Sequence, residues 1–486
     1  MFAGSIQWGS MLVSLLGVSL IAKELGSHAP GQILAAAFAI TIPMGILQGS
    51  STNNDYVLAL WMICFAYFSL LTLREGAHTS NLVRLGASLG LAILTKGTAY
   101  MYAFPFCLWL ALWGLKRYRL KIWKPLLLIA TMVLLLNLGH YSRNFLLFSS
   151  PLGSPGDETN KLFGFRILIS NTVKQLALHA DFVRHLRLDN VMIPMTGVTE
   201  KVIQILHSLL GVDINDPALT SSKHPDFYVP GLSLNEDKAG NPLHLIVILI
   251  SLALIPMNSR LKKRSLLWGY GLAVTAGFLL FCLLLTWSPS RCRLHLPIFI
   301  LYAGLVGTVI ANSLDRRIIN FSVIILFFLS YPWIFHHAAR PILGQNSIFT
   351  TPRIEQYFRT QPALTELYIE SAEMVQASSC RQVGLEFKGT SFEYPFWVLT
   401  NHHQNSTTIR HVNVKNESSI QGKLNLFPEE KTCMIVYFSS QNNQGSSDTT
   451  EFTLPDKTYS QYWSKSEMAG KNKKSVQIFA QSTQEN

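Results

Sequence analysis

Long apolar stretches separated by short polar breaks recur through the first two thirds of the chain, and the pattern then gives way to short apolar runs in a polar background. Ten stretches read as membrane helices: residues 9–22, 32–48, 56–73, 85–94, 98–115, 125–138, 243–257, 267–287, 296–311 and 318–335. Several fall short of the roughly 20 residues that a perpendicular crossing needs, which implies bilayer thinning or extension into flanking polar residues. The pattern divides the chain into membrane helices over 1–139, a large loop over 140–242, further membrane helices over 243–337 and a soluble domain over 338–486.

The 140–242 segment is far longer than a connection requires, and loops of that size usually carry function. Within it, VKQLALHADFVRHL and VTEKVIQILHSLLG repeat apolar residues at three- and four-residue spacing between Val173 and Leu188 and between Val202 and Leu210. These read as interfacial helices. In the soluble part, a helical pattern over 363–376 accompanies strand-like QVGLEF, TIRHVNV and CMIVYF, which predicts a small α/β domain. The polar end beyond Lys471 reads as frayed. The expected fold is mainly α: a polytopic bundle of about ten transmembrane helices with a small extracytoplasmic α/β domain.

A formal net charge of +12 would suit a nucleic-acid binder if it were spread over one surface. It is not. Alternate loops hold Lys23, Arg74, Arg84, the run Lys116 to Lys124, Arg260 to Arg264, Arg316 and Arg317: 14 basic residues against three acidic ones, Glu24, Glu75 and Asp315. The remainder holds 26 basic and 25 acidic residues and is almost neutral. The excess is therefore a topology signal that places those loops in the cytoplasm and both termini outside. The same rule supports the weak helix over 85–94, because an even number of crossings must separate Arg84 from Lys116. Lys96 then lies at the outer end of a hairpin.

Six cysteines make no disulfide framework, since Cys64, Cys107 and Cys282 fall in apolar stretches and Cys292 in a short outer loop. Cys380 and Cys433 share the polar domain, where an extracytoplasmic location would permit one bridge.

Outside the membrane core, three places carry residues suited to chemistry. In SSTNNDY, Asp55 stands at the outer mouth of the third helix, where a carboxylate can orient a sugar hydroxyl or bind a divalent metal, or simply cap the helix. In LTKGTAY, Lys96 stands between apolar helices, where an ammonium either reaches the headgroups or meets a phosphate. In GHYSRNFLLFSSPLG and WSPSRCRLHLP, Arg143, Arg291 and Arg293 oppose the positive-inside bias; as guanidinium forks they suit phosphate oxygens, and as interfacial residues they would anchor helix ends. His336, His337, His402 and His403 come with no matching carboxylate spacing and make a poor metal set. Asn405 and Asn416 sit in sequons.

The order SSTNND, GLAILTKGTAY, a basic inner loop, HYSRN with PLG, GNPLH and an arginine-bearing loop ending in LP resembles the membrane glycosyltransferases of the GT-C kind, which include protein O-mannosyltransferases and lipid A aminoarabinose transferases. The resemblance covers about Gln7 to Pro297, and EYPFW extends it weakly into the tail. It implies a polyprenyl-phosphate sugar donor, transfer on the outer face of a bacterial inner membrane to a lipid, glycan or protein acceptor, and an inverting displacement that needs a carboxylate base. Asp55 is the candidate catalytic carboxylate; Lys96, Arg143, Arg291 and Arg293 are the candidates for holding the donor phosphate. Such enzymes begin with an additional helix and an outer loop bearing the catalytic aspartate, whereas MFAGSIQWGSML resembles the stretch that follows them. The chain as written is therefore expected to insert without transferring sugar. A transporter or flippase of lipid-linked sugars, which should show broken helices or an internal repeat, and a non-catalytic scaffold are the competing classes.

Overall fold

The computed structural model describes residues 4–154, 158–180, 195–378, 380–388, 392–400, 407–415, 419, 432–442, 451–454, 457–469 and 472–481. The chain divides into two compact units, Met1–Leu146 with Ser150–Ala338, and Leu147–Ser149 with Ala339–Asn486.

The first unit is helical. Its elements are α1 (Ser5–Glu24), α2 (Ala29–Ile40), α3 (Pro43–Gly49), α4 (Asp55–Glu75), α5 (Thr79–Thr95), α6 (Thr98–Tyr118), α7 (Trp123–Phe148), α8 (Phe165–Ala177), α9 (Met195–Leu210), α10 (Pro242–Met257), α11 (Arg264–Leu284), α12 (Leu296–Ser313) and α13 (Arg316–Phe335). Among the described residues, six segments are long and apolar enough to cross a membrane, seven if the bent pair α2 and α3 is one span. One of the six, Thr98–Phe148, contains both α6 and α7. The protein is an integral membrane protein.

Each apolar stretch becomes a helix, with three adjustments. Residues 32–48 are not one helix: Pro43 breaks the run, and α2 and α3 meet at 67°. The weak stretch over 85–94 belongs to the longer α5. Residues 140–148, expected to begin the outer loop, instead continue α7, where Asn144 Nδ2 lies 3.1 Å from His140 Nε2 one turn earlier and no proline intervenes before Pro151.

Buried almost throughout, α12 packs against α1, α2, α4, α10 and α11. Close approach relies on glycine. A Cβ on Gly307 would lie 2.3 Å from Gly31 O, so α2 and α12 touch backbone to backbone. Gly86 and Gly90, spaced four apart on α5, admit Ile129, Met132 and Leu136 of α7, and Asn137 Nδ2 donates to Gly90 O at 3.0 Å across that contact.

In the long connection, α8 takes in the start of the first amphipathic pattern and ends at Ala177; the part of the pattern from 181 to 188 lies outside the described residues. The second pattern lies in α9.

The second unit contains α14 (Arg353–Tyr357), α15 (Leu364–Ala377), β1 (Gln382–Phe387), α16 (Glu393–Leu399), β2 (Thr408–His411), β3 (Met434–Asn442), β4 (Glu451–Leu454), β5 (Lys457–Ala469) and β6 (Asn472–Gln481). The sheet order is β2-β1-β3-β6-β5-β4, with β2, β1 and β3 parallel and the remaining pairings antiparallel. Val383, Leu385, Val436 and Phe438 meet Leu367 and Phe396 in one core. Cys380 and Cys433 are disulfide-bonded. Within the end expected to be frayed, residues 472–481 form β6, which pairs with both β3 and β5 and buries Val476 and Ile478 in the core. His402, His403, Asn405 and Asn416 lie outside the described residues.

Candidate functional site

The site begins with a glutamine on α1. Gln7, almost fully buried, accepts the backbone N–H groups of Tyr56 and Val57 through Oε1 at 3.0 and 3.1 Å. Those donors belong to the first turn of α4, which a side chain in the N-cap position normally satisfies. Because a neighbouring helix supplies the cap, Asp55 is released from that task. Its Oδ1 instead accepts from Lys96 Nζ at 2.6 Å. The capping reading of Asp55 is thereby corrected: Asp55 is the first residue of the helix and caps nothing.

Lys96 reaches Asp55 because α5 stops there. It is the C-cap of α5 in an extended conformation, followed by Gly97 and the start of α6. Asn54 Nδ2 donates to Thr95 O at 2.9 Å and fixes the mouth of α4 against that break. Asp55 is fully buried and the Lys96 side chain is 21% exposed. Among the described residues, Asp55 Oδ2, Gln7 Nε2 and Tyr56 Oη have no hydrogen-bond partner. A buried carboxylate with one satisfied oxygen is costly as structure and characteristic of a site that meets a polar ligand.

The arginines are arranged differently. Tyr102 Oη on α6 donates to Leu294 O at 2.7 Å and so ties that helix to the 3-10 turn Pro289–His295, which carries Arg291 and Arg293. Arg291 is buried: Nε donates to Thr286 O at 3.1 Å and Nη1 to Glu158 Oε2 at 3.0 Å. Arg293 is partly exposed and donates to Asp237 Oδ1 at 2.7 Å. Arg143 lies exposed near the end of α7, where Tyr141 Oη is 2.8 Å from Tyr100 Oη of α6. The structure thus joins Asp55 to Lys96, sets Arg291 and Arg293 on one turn against acidic residues of the long loop, and leaves Arg143 on a separate helix end.

Two further buried groups lie in the long loop. Lys174 of α8 is fully buried, with Nζ 3.2 Å from Ile214 O and 3.3 Å from Thr220 Oγ1, and burial pushes its pKa down to about 8 against the opposing effect of Asp216 and Asp213. His179 Nδ1 accepts the Asn241 N–H at 3.0 Å, so its proton is on Nε2 and is donated to His295 Nδ1 at 2.9 Å. Burial lowers His179 to about 3 and keeps it neutral. Gln7, Glu158, Lys174, His179 and Asp237 were missed by the sequence reading. The signal for Gln7 and Lys174 was a polar residue inside an apolar pattern; Glu158 and Asp237 gave none. His337 pairs with Glu236 at 3.2 Å, and no group of three or more metal-ligating side chains forms among the described residues.

Residues 5–141, which include Asp55 and Lys96, match the family model for dolichyl-phosphate-mannose-protein mannosyltransferase. Over that segment the chain is similar to the membrane mannosyltransferases that the model describes. Among solved structures, the chain aligns with ArnT from Cupriavidus metallidurans bound to undecaprenyl phosphate, at 13% identity and a TM-score of 0.39, over 97% of this chain and 83% of that one. No curated protein sequence matches the chain.

Proposed function

We propose that the protein serves the transfer of a sugar from a polyprenyl-phosphate-linked donor to an acceptor on the outer face of the membrane, with the Asp55–Lys96 pair at the donor site. The observation that carries this reading is the pair itself, buried and one oxygen short of satisfaction, inside the segment that matches the mannosyltransferase family. Lys96 neutralises charge beside the leaving phosphate, and Asp55 holds Lys96 in place while offering Oδ2 to a sugar hydroxyl or a divalent metal. Arg293 and Arg143, each with exposed surface, are the guanidinium groups able to take phosphate oxygens. Arg291, buried and held by Glu158 and Thr286, fixes the turn that presents Arg293.

In this reading both termini and the second unit lie outside a bacterial inner membrane, an orientation that the loop charges support. One broken helix, α2 to α3, has the form expected of a transporter. Its freed Met44 N–H is met by Asn241 Oδ1 at 2.9 Å, and the break leads directly into the turn before Asp55, so it too serves the pair. The test uses membranes from cells expressing the gene at its own locus, incubated with a radiolabelled polyprenyl-phosphate sugar. Label passing to an acceptor supports transfer, label crossing the bilayer unchanged supports a flippase, and neither supports a scaffold.

A further inference from the structure

The sheet of the second unit packs Val383, Leu385, Val436 and Phe438 against helices on one face and buries Ile435, Tyr459 and Phe479 on the other, and beside β1 lies a cavity of about 530 Å3 whose lining includes Glu386, Lys388, Asn413, Lys415, Tyr437 and Glu451. That volume falls within the roughly 300–1,000 Å3 of small-molecule sites.

The sequence builds this cavity stepwise. Along β1, Val383 and Leu385 turn into the helix-covered core, so the alternation puts Gly384 and Glu386 on the other face. Parallel pairing with β3 sets Glu386 beside Tyr437 and Gly384 beside Ile435. The chain leaving β2 then closes over Gly384, where a Cβ would lie 2.8 Å from Val412 Cγ1 and 3.0 Å from Thr432 Cγ2. With that position kept bare, Val412 N–H donates to Leu385 O at 3.0 Å, and Asn413 follows with φ +53°. Asparagine is one of the few residues that adopts this left-handed conformation readily. From it, Asn413 Nδ2 donates to Glu386 Oε2 at 2.9 Å. Glu386 Oε1 receives no hydrogen bond from the described residues. Burial raises the Glu386 carboxyl above its ordinary range, so a ligand donor would stabilise its charged form.

Charge on the lining balances, with Lys388 and Lys415 against Glu386 and Glu451, and His411 is bonded to Glu393 at 2.9 Å. A balanced set does not select an ion. It presents a fixed carboxylate and a planar amide side by side, able to accept from and donate to neighbouring hydroxyls, next to the ring of Tyr437. We propose that this cavity binds a neutral saccharide, at a site separate from the Asp55–Lys96 pair.

The test is titration of the full-length protein in detergent micelles with neutral disaccharides (maltose, cellobiose, mannobiose), alongside glucuronate, glucosamine and a neutral tripeptide, read by saturation-transfer NMR and calorimetry. Neutral disaccharides should bind saturably. Glu386→Gln, which keeps the shape, and Asn413→Gly, which keeps the backbone conformation, should each weaken them by about tenfold or more with unchanged melting temperature. Asp55→Asn should leave this binding unchanged, which separates its failure from any failure of the transfer reading. Absence of saturable disaccharide binding, binding indifferent to both cavity substitutions, or selection of the charged sugars or the peptide would overturn the proposal.

Discussion

Lys96 Nζ and Asp55 Oδ1 meet at 2.6 Å although they stand 41 positions apart, Asp55 at the start of α4 and Lys96 in the break between α5 and α6. Their unequal exposure makes the consequences of breaking the pair unequal. Lys96→Met strands a fully buried carboxylate, for which a loss of about 3 kcal/mol is expected. Asp55→Asn leaves an ammonium that still has access to the surface, and should cost less. The double substitution should cost less than the two singles together, measured as melting-temperature shifts of the purified protein in detergent. Strict additivity would mean that the two groups are not coupled.

Glycines divide into those with and without room for a methyl group. Gly307→Ala forces the α2 backbone away from α12 and is expected to prevent accumulation of folded protein, whereas Gly90→Ala, which meets Leu136 at 2.8 Å, should lower stability by about 1–3 kcal/mol. Gly139 has nothing within 4 Å, so Gly139→Ala should be close to neutral. Membrane yield and thermal stability across the three variants check the ranking.

Burial of Lys174 gives a pH dependence of known sign. Its pKa of about 8 in the folded protein lies below the ordinary lysine value near 10.5, so the folded state holds fewer protons than the unfolded one between those values. The lysine's contribution to stability therefore rises with pH through that window and is unfavourable below it. Wild type should gain relative to Lys174→Met by on the order of 2 kcal/mol between pH 7 and 9.5. A difference that stays flat over that range would show that the ammonium is solvated.

Orientation follows from loop charge and is directly measurable. Single cysteines placed in the turn between α6 and α7 or in the segment between α10 and α11 should resist a membrane-impermeant thiol reagent in intact cells. Cysteines placed at Asn53 or Ser290 should react. The reverse pattern would put Asp55 on the cytoplasmic side.

The membrane helices were legible because apolar runs report directly on burial in lipid. Each run except 32–48, which Pro43 divides between α2 and α3, became part of a single helix, and even the weak 85–94 stretch lies in α5. QVGLEF coincides with β1, and CMIVYF marks the start of β3, which runs on through the polar residues to Asn442. By contrast β6 was missed, since KNKKSVQIFAQ hides its alternation behind lysines and is held by two neighbouring strands rather than by its own composition. Asp55 and Lys96 were each singled out, but their pairing was not, because it depends on α5 ending at Thr95 and on Gln7 capping α4. Arg291 drew attention as a phosphate ligand, and the structure engages it with Glu158, a partner that only the folded long loop brings near.

The central claim is that the Asp55–Lys96 pair forms the donor site of an outer-face sugar transferase. The most direct measurement is transfer of radiolabelled sugar from a polyprenyl-phosphate donor in membranes of cells carrying the wild-type gene, Asp55→Asn or Lys96→Met at its own locus, with protein levels matched. The account predicts label in an acceptor with wild type and a fall of about a hundredfold or more with either substitution, as expected for loss of a charged contact to the reacting groups. Undiminished transfer by both substituted proteins, or none by the wild type, would contradict it.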